Sequence, residues 1–529
     1  MGRKWPANPL IYEVYPRSFN DTTGSGVGDL NGITEKLDYI ASLNVDAVWL
    51  CPFYTSPLHD GGYDVADHRA VAERHGTLED FDRLVKEAHD RDLLVMVDSV
   101  FNHTSTDHAW FQASLDGDEE KAECYVWRDP KPDGTPPNNW ISQFGPPAWT
   151  WNHRRQQYYH HQFLSCQANL NLRHPLVQRM FRETLEFWLD RGVDGFRFDV
   201  VTAYLFDPDM PDNPPARPVV ASRVTGPNHN PYSYQDHVYD LLPGDGAAYT
   251  ENMRKWVGDD IYLIGESNTG NDAIEISKSF TTDGRLDGCY NTLPPTVSTN
   301  PTALADILRQ LDGDWCAPWW FSSHDQVRHN SDLGDGSPES AKFFAMLLAT
   351  LPGAALMYQG EELGLPQLDL TKEETTDPFD LLYWPDAPGR EPPRIPIPWR
   401  KDLKNFGFTK GEPWLPMRWD KALSVEAQED NAESVLNFYR RAMAFRKETR
   451  IAAPDKVECD ASDTAMSLRI TKGDERWLVV FNFGDDQLPV PTRQGMAPVL
   501  SHGWDGRRLP KWGAAVWEGV EEREETACN

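Results

Sequence analysis

Positive charge is scarce in this 529-residue chain: 51 lysines and arginines face 82 aspartates and glutamates, a formal net charge of −31. A surface of that sign repels nucleic acid, anionic membranes and anionic substrates, so no nucleic-acid or membrane partner is expected, whereas a neutral sugar meets no such barrier. Cysteine is scarce as well. The seven (Cys51, Cys124, Cys166, Cys289, Cys316, Cys459 and Cys528) are scattered, odd in number and without the short paired spacings of a zinc site. That argues against a disulfide framework and leaves free thiols. No apolar run is long enough to span a bilayer, and the opening MGRKWPANPL lacks an apolar stretch of signal-peptide length, so a cytoplasmic protein is expected. There is no low-complexity tract.

What the chain does have is alternation. Leu10–Tyr15, Val45–Leu50, Leu93–Asp98, Gly195–Val201, Ile261–Glu266, Leu286–Tyr290, Trp319–Ser323 and Ala354–Tyr358 read as eight buried strands. Between them fall helical spacings: Leu37, Ile40 and Leu43; Phe81, Leu84, Val85 and Ala88; His174–Gly192, ending in glycine; and a closing helix at Ala432–Glu448. Strands alternating with helices imply a parallel sheet, and eight strands are the count of a (β/α)8 TIM barrel, an α/β fold that suits this length with insertions and one small extra domain. The stretch from His103 to about Gln167, rich in Trp, Pro, Gly and Asn, is too long for a plain connection and is expected to build a wall of a binding cleft. Asp207–Pro218 is expected to form an extended rim loop, and Glu361 to about Phe408 a further insertion. Ala465–Ile470 and Trp477–Phe483 read as strands of an antiparallel C-terminal domain. The expected division is 1–103 and 167–449 for the barrel, 104–166 for a subdomain inserted after strand 3, and 450–529 for a C-terminal β-sandwich.

Charge inside the apolar runs marks the chemistry. In Gly195-Phe196-Arg197-Phe198-Asp199-Val200-Val201, Arg197 and Asp199 stand two apart and share a face. Taken alone, this is as readily a structural ion pair as a functional one. Three further runs also end in polar groups: Leu93–His103 (LLVMVDSVFNH), Tyr262–Asn268 (YLIGESN) and Trp319–Gln326 (WWFSSHDQ). They bring Asp98, Asn102, His103, Glu266, His324 and Asp325 to strand ends, the face on which barrels build active sites. Hydrolysis of an acetal needs one carboxyl group to give a proton and another to stabilise the oxocarbenium-like carbon. Asp199, beside Arg197, is expected to stay ionised, and Glu266, after an apolar run, to hold a proton. No ligand cluster accompanies His103 or His324 in the sequence, so no metal is expected at either.

The four segments, in this order, resemble the four short regions of glycoside hydrolase family 13, the α-amylase and α-glucosidase family. The resemblance implies that Asp199 is the nucleophile of a retaining reaction, Glu266 the general acid/base, and Asp325 the carboxylate bracing the sugar. It further implies that Asp60 and Tyr63, within Ser56–Asp64, hold the non-reducing glucose, that Phe163 faces it, and that His103, Arg197 and His324 contribute contacts. Arg394 resembles an arginine that closes the site near Asp60, with Arg400 as the competing assignment. Thr23 and Ser25 stand where family members often carry Asn and Asp, which weakens a Ca2+ site at Asp21 and Asp29, so no cofactor is expected to be required. Ser323 replaces a usual Asn and Asn169 a usual Asp. The implied activity is that of an exo-acting α-glucosidase releasing glucose from short neutral oligosaccharides or disaccharides, linked α-1,6 or α-1,4, by a monomer or homodimer. The alternatives are a transglucosylase or sucrose/maltose isomerase of the same family. A non-catalytic, transporter-associated relative is disfavoured, because such proteins lack the carboxylates kept here. Valine after the nucleophile, here Val200, accompanies α-1,6 cleavage in the family; alternatively Val200 is simply a good strand residue and the loops set specificity.

Overall fold

The computed structural model describes residues 4–216, 229–267, 272–386, 389–490 and 497–519; Pro218, Asn268 and Cys528 lie outside the described residues. Seven strands, β1 (Leu10–Val14), β2 (Ala47–Leu50), β3 (Leu94–Ser99), β4 (Gly195–Phe198), β5 (Tyr262–Ser267), β6 (Gly288–Asn291) and β7 (Ala355–Tyr358), form one parallel sheet in the order β6-β5-β4-β3-β2-β1-β7. The eighth expected strand, Trp319–Ser323, is not one. Pro318 has no N–H to give, and Trp319 is left as a single parallel bridge to Ala355. The segment nevertheless closes the ring between β6 and β7: Cys316 accepts from Cys289 at 2.8 Å, and Trp319 bonds Ala354 and Leu356 at 2.9 and 2.8 Å.

Strand periodicity divides the core into two shells. Leu10, Tyr12, Val14, Val95, Val97, Phe196 and Phe198 point outward into the strand–helix layer, while Ile11, Ala47, Trp49, Leu94, Met96 and Ile264 fill the barrel interior. The helices begin where capping chemistry permits. α1 (Leu78–His89) starts at a capping box of Thr77 and Asp80 and buries Phe81, Leu84, Val85 and Ala88. α2 (Pro175–Leu189) has Pro175 in its first turn and the His174 ring accepting from Leu176 N–H. The helix expected between β1 and β2 is split into Leu30–Glu35 and Leu37–Ser42.

After β3, His103–Ser105 pairs antiparallel with Gln167–Asn169, so the two ends of the inserted segment are tied together above the strand ends. The insertion carries its own three-stranded antiparallel sheet, Trp127–Arg128, Gln157–His160 and Trp149–Asn152. At the other end of the chain, α3 (Pro338–Thr350) packs on α4 (Val435–Thr449), and Phe343 meets Phe481 and Trp512 with ring centres 5.5 and 5.3 Å away. These rings dock an antiparallel five-stranded sheet, of which Ala465–Lys472 and Glu475–Asn482 are neighbours. No helix among the described residues is long and apolar enough to cross a membrane.

Candidate active site

Four strands each set a charged side chain in an otherwise apolar interior: Glu13 on β1, Asp98 on β3, Arg197 on β4 and Glu266 on β5. The register puts Arg197 beside Asp98 and Glu266 beside Tyr290. Arg197 is 1% exposed, so every N–H it carries needs a partner. Nη1 donates to both Asp98 oxygens at 2.9 Å and to Asp199 Oδ1 at 2.8 Å. Nε and Nη2 donate to the Tyr290 hydroxyl at 2.9 and 2.7 Å, and Nη2 also to Glu266. The Trp49 ring centre lies 5.1 Å from the guanidinium carbon, and the Tyr63 hydroxyl donates to Asp98 at 2.9 Å.

One guanidinium thus serves three carboxylates. Burial raises the Asp199 carboxyl well above the ordinary range, and the charges of Glu266 and Asp98 add to this against the pull of Arg197. Arg197 is thus not reserved for Asp199 but shared with Asp98 and Glu266. The chain turns sharply here. β4 ends at Phe198, and Val200 adopts the left-handed conformation (φ 41°, ψ 50°), strained for a β-branched residue. Val200 is therefore no strand residue; it sits in the cleft wall with Phe144 and Phe163, its N–H 3.4 Å from Glu266 Oε2.

A second charge cluster faces the first. Asp325 accepts from Arg394 and, at 3.0 Å, from Arg390 Nη2. Burial would raise its carboxyl, yet Arg390, His324 and Arg394 together hold it far below the usual range. Asp60 accepts from Arg390 at 3.3 Å and from Gln167 Nε2 at 2.9 Å. Arg394 does not reach Asp60; it spends its donors on Asp325, on Asp377 (3.2 Å) and on the His324 carbonyl (2.8 Å). Arg390 takes the place expected for it, and Arg400 lies exposed, paired with Glu426. The His324 ring stacks on Tyr63, with centres 5.1 Å apart. Its Nδ1 lies 2.5 Å from Glu13 Oε1, and its buried Nε2, 3.6 Å from Asp325 Oδ1, has no hydrogen-bond partner. Burial lowers His103 to about 3, so that ring is neutral; it contacts the Tyr63 carbonyl at 3.1 Å and lies 5.3 Å, centre to centre, from Phe163.

Asp60, Tyr63, His103, Phe163, Asp199, Glu266, His324 and Asp325 all line one cleft. Arg197 and Arg394 stand behind its wall, holding acids. The family profile described as the α-amylase catalytic domain matches residues 13–455. The chain belongs to the α-amylase family, glycoside hydrolase family 13. A protein named probable α-glucosidase from Rhizobium meliloti (strain 1021) is 40% identical over 97% of this chain and 96% of its own length. An oligo-1,6-glucosidase from Parageobacillus thermoglucosidasius is 31% identical over 93% and 92%. Among solved structures, an α-glucosyl transfer enzyme, XgtA, superposes with a TM-score of 0.91 at 36% identity, covering 98% of this chain and 100% of that one.

Within this family fold, the side chains that sequence reasoning passed over are Glu13, Tyr290, Gln167, Asp377 and Arg390. Glu13 carried a usable signal, a lone carboxylate inside the apolar run LIYEV. Cys51 was missed too: its Sγ lies 3.5 Å from Glu13 Oε1 and 3.7 Å from His324 Nδ1. The expectation that no ligand-type groups accompany His324 is thereby corrected; strand order, not sequence spacing, joins them. The two departures from the usual pattern have local roles. Ser323 Oγ accepts from Asp325 N–H at 3.2 Å, and Asn169 anchors Gln162 through its Oδ1 at 2.7 Å.

The loop at Asp21–Asp29 does not fit a calcium ion. Asp21 Oδ1 accepts from Thr23 N–H, the Thr23 hydroxyl and Gly24 N–H, each at 2.9 Å, and Oδ2 from Gly26 N–H at 2.7 Å. Asp29 holds Thr22 N–H at 2.8 Å and caps Gly32 at 2.7 Å. Thr23 and Ser25 offer hydroxyls where the ion favours carboxylate or amide oxygens, and hydrogen bonds within the loop hold both aspartates without one.

Proposed function

We propose that this chain is a retaining exo-α-glucosidase that releases glucose from the non-reducing end of short neutral α-glucosides in the cytoplasm. The observation that carries this reading is the triple use of Arg197, which gathers Asp98, Asp199 and Glu266 around one cation on the cleft floor. Asp199 and Glu266 each accept from the same Arg197 guanidinium, a closeness that supports the short carboxylate spacing of a retaining pair over the wider gap an inverting pair needs for its water.

In the proposed reaction, Glu266 protonates the departing glycosidic oxygen while Asp199 forms a bond to the anomeric carbon, giving a covalent glycosyl-enzyme. Glu266 then takes a proton from water, which attacks the same carbon and frees Asp199. Asp325, kept anionic by Arg390 and Arg394, accepts hydrogen bonds from sugar hydroxyls. His324 Nε2, buried beside Asp325 and without a hydrogen-bond partner, is a further contact. Asp60, tied to Gln167 and Arg390 by hydrogen bonds, is assigned to the non-reducing glucose, which favours exo action. A second reading, transfer of glucose to another hydroxyl compound, is supported by the likeness to the α-glucosyl transfer enzyme; the same glycosyl-enzyme serves both.

Linkage preference rests on Val200. Its strained turn fixes the side chain against Phe163 and Phe144 at the mouth of the cleft, where it narrows the approach to Asp199 and offers no hydroxyl partner. The more flexible 1,6-linked sugar is then favoured by about 1–3 kcal/mol. The test is catalytic efficiency on isomaltose and maltose for the parent and Val200→Thr. The parent should prefer isomaltose and the variant should lower that ratio roughly tenfold. A parent that prefers maltose, or a ratio that does not move, rejects the assignment.

A further inference from the structure

The strand order brings three metal-binding side chains together beneath the cleft floor: Glu13 from β1, Cys51 after β2, and His324 after the Trp319 segment, each 2% exposed or less. Their ligand atoms all lie within 4.8 Å of one another. Around a tetrahedral zinc ion, bonds of about 2.3 Å to sulfur and 2.0–2.2 Å to nitrogen and oxygen put ligand atoms roughly 3.4–3.6 Å apart. Here Cys51 Sγ is 3.5 Å from Glu13 Oε1 and 3.7 Å from His324 Nδ1. The third edge, 2.5 Å between Glu13 and His324, is a hydrogen bond that must open by about 0.9 Å when a metal replaces the shared proton.

We infer that Glu13, Cys51 and His324 form an inhibitory site for a thiophilic divalent cation such as Zn2+ or Cd2+. Three features support it beyond proximity. Carboxylates outnumber guanidinium groups around the floor, so a dication enters a field of favourable sign. His324 lines the cleft, so an ion in the cleft reaches the site by passing one ring. The buried His324 Nε2 has no hydrogen-bond partner and faces Asp325 Oδ1 at 3.6 Å, so the ring can carry a proton there and free Nδ1 for the metal. Proton balance follows: the thiol gives its proton to solvent, the imidazole binds through Nδ1 in its neutral form with its proton on Nε2, any proton on Nδ1 leaving to solvent, and Glu13 binds as the carboxylate. At least one proton is released per ion bound. A filled site alters the ring that faces the sugar, and inhibition is competitive.

The experiment titrates chelator-treated enzyme with Zn2+ against glucoside hydrolysis, and with Cd2+ against the ultraviolet charge-transfer band of a cadmium thiolate. Cys51→Ser is run in parallel. Cys51 is not on the cleft wall, so the variant keeps its basal activity. We expect competitive inhibition of the parent, inhibition at least about 100-fold weaker in Cys51→Ser, and a Cd2+ band that is lost from the variant in difference spectra. Equal inhibition of the two proteins, no inhibition of the parent, or a band unchanged by the substitution overturns the site. The inhibition readout rests on the proposed glucosidase activity, whereas the Cd2+ band does not, so failure of the site and failure of that activity are told apart.

Discussion

Arg390→Ala tests the reading of the cleft at the residue that distinguishes this structure from its sequence. Arg390 Nη2 spans Asp60 (3.3 Å) and Asp325 (3.0 Å), and Nη1 faces Asp377 at 3.5 Å. Removing one partner from a buried ionic cluster costs about 3–5 kcal/mol, because the remaining charges stay desolvated. Two features push the loss toward the lower bound. Arg394 still holds Asp325 and Asp377, and Asp60, whose carboxyl burial already raises, can take up a proton. That cost falls on stability and lowers Tm; separately, an Asp325 displaced from the sugar is expected to lose on the order of 2–3 kcal/mol of transition-state binding, roughly 100-fold in kcat/KM. Arg390→Lys keeps the charge without the fork and should recover only part. The assay is kcat/KM on the preferred disaccharide, with Tm measured alongside to separate unfolding from misplacement of Asp325. If Arg390→Ala keeps kcat/KM within about threefold of the parent with an unchanged Tm, the bridge is ornamental and the reasoning fails.

Two further outcomes follow from the same charges. The Asp199 carboxyl is raised by burial and by its acidic neighbours, so the stability tied to it is full at low pH and lost as pH rises through the raised value. Asp199→Asn should therefore lack turnover yet melt on the order of a degree or two higher at pH 8, the gain shrinking toward pH 5; a lower Tm at pH 8 contradicts this. Because the Asp21–Asp29 loop satisfies its own carboxylates, treatment with a strong chelator should leave Tm and activity unchanged, and a large loss restored by calcium would show that the loop rearranges around an ion.

The barrel was legible because its strands are buried on both faces and read as continuous apolar runs, and because Asp199, Glu266 and Asp325 break those runs at their ends. The Trp319 strand was misread for one reason: an apolar pattern does not register that Pro318 removes a ladder donor. Arg390 was hidden because the run from Arg390 to Trp399 has no period, so nothing in it tells which arginine turns inward. Glu13 and Cys51 needed the strand order, since only β1 lying between β2 and β7 brings them to His324. Val200 followed a regular strand pattern, and its left-handed turn is imposed by the tertiary packing around Asp199.

The central claim is that Asp199 and Glu266 work as a close pair through a covalent intermediate. Proton NMR of the first minutes of hydrolysis of sucrose and of an aryl α-glucoside reads it directly, since the leaving group is then not glucose and the anomeric proton of the released glucose is observed before mutarotation. The account predicts α-glucose as the first product, with any new glucosides also α-linked. β-Glucose appearing first would mean inversion, and would contradict it.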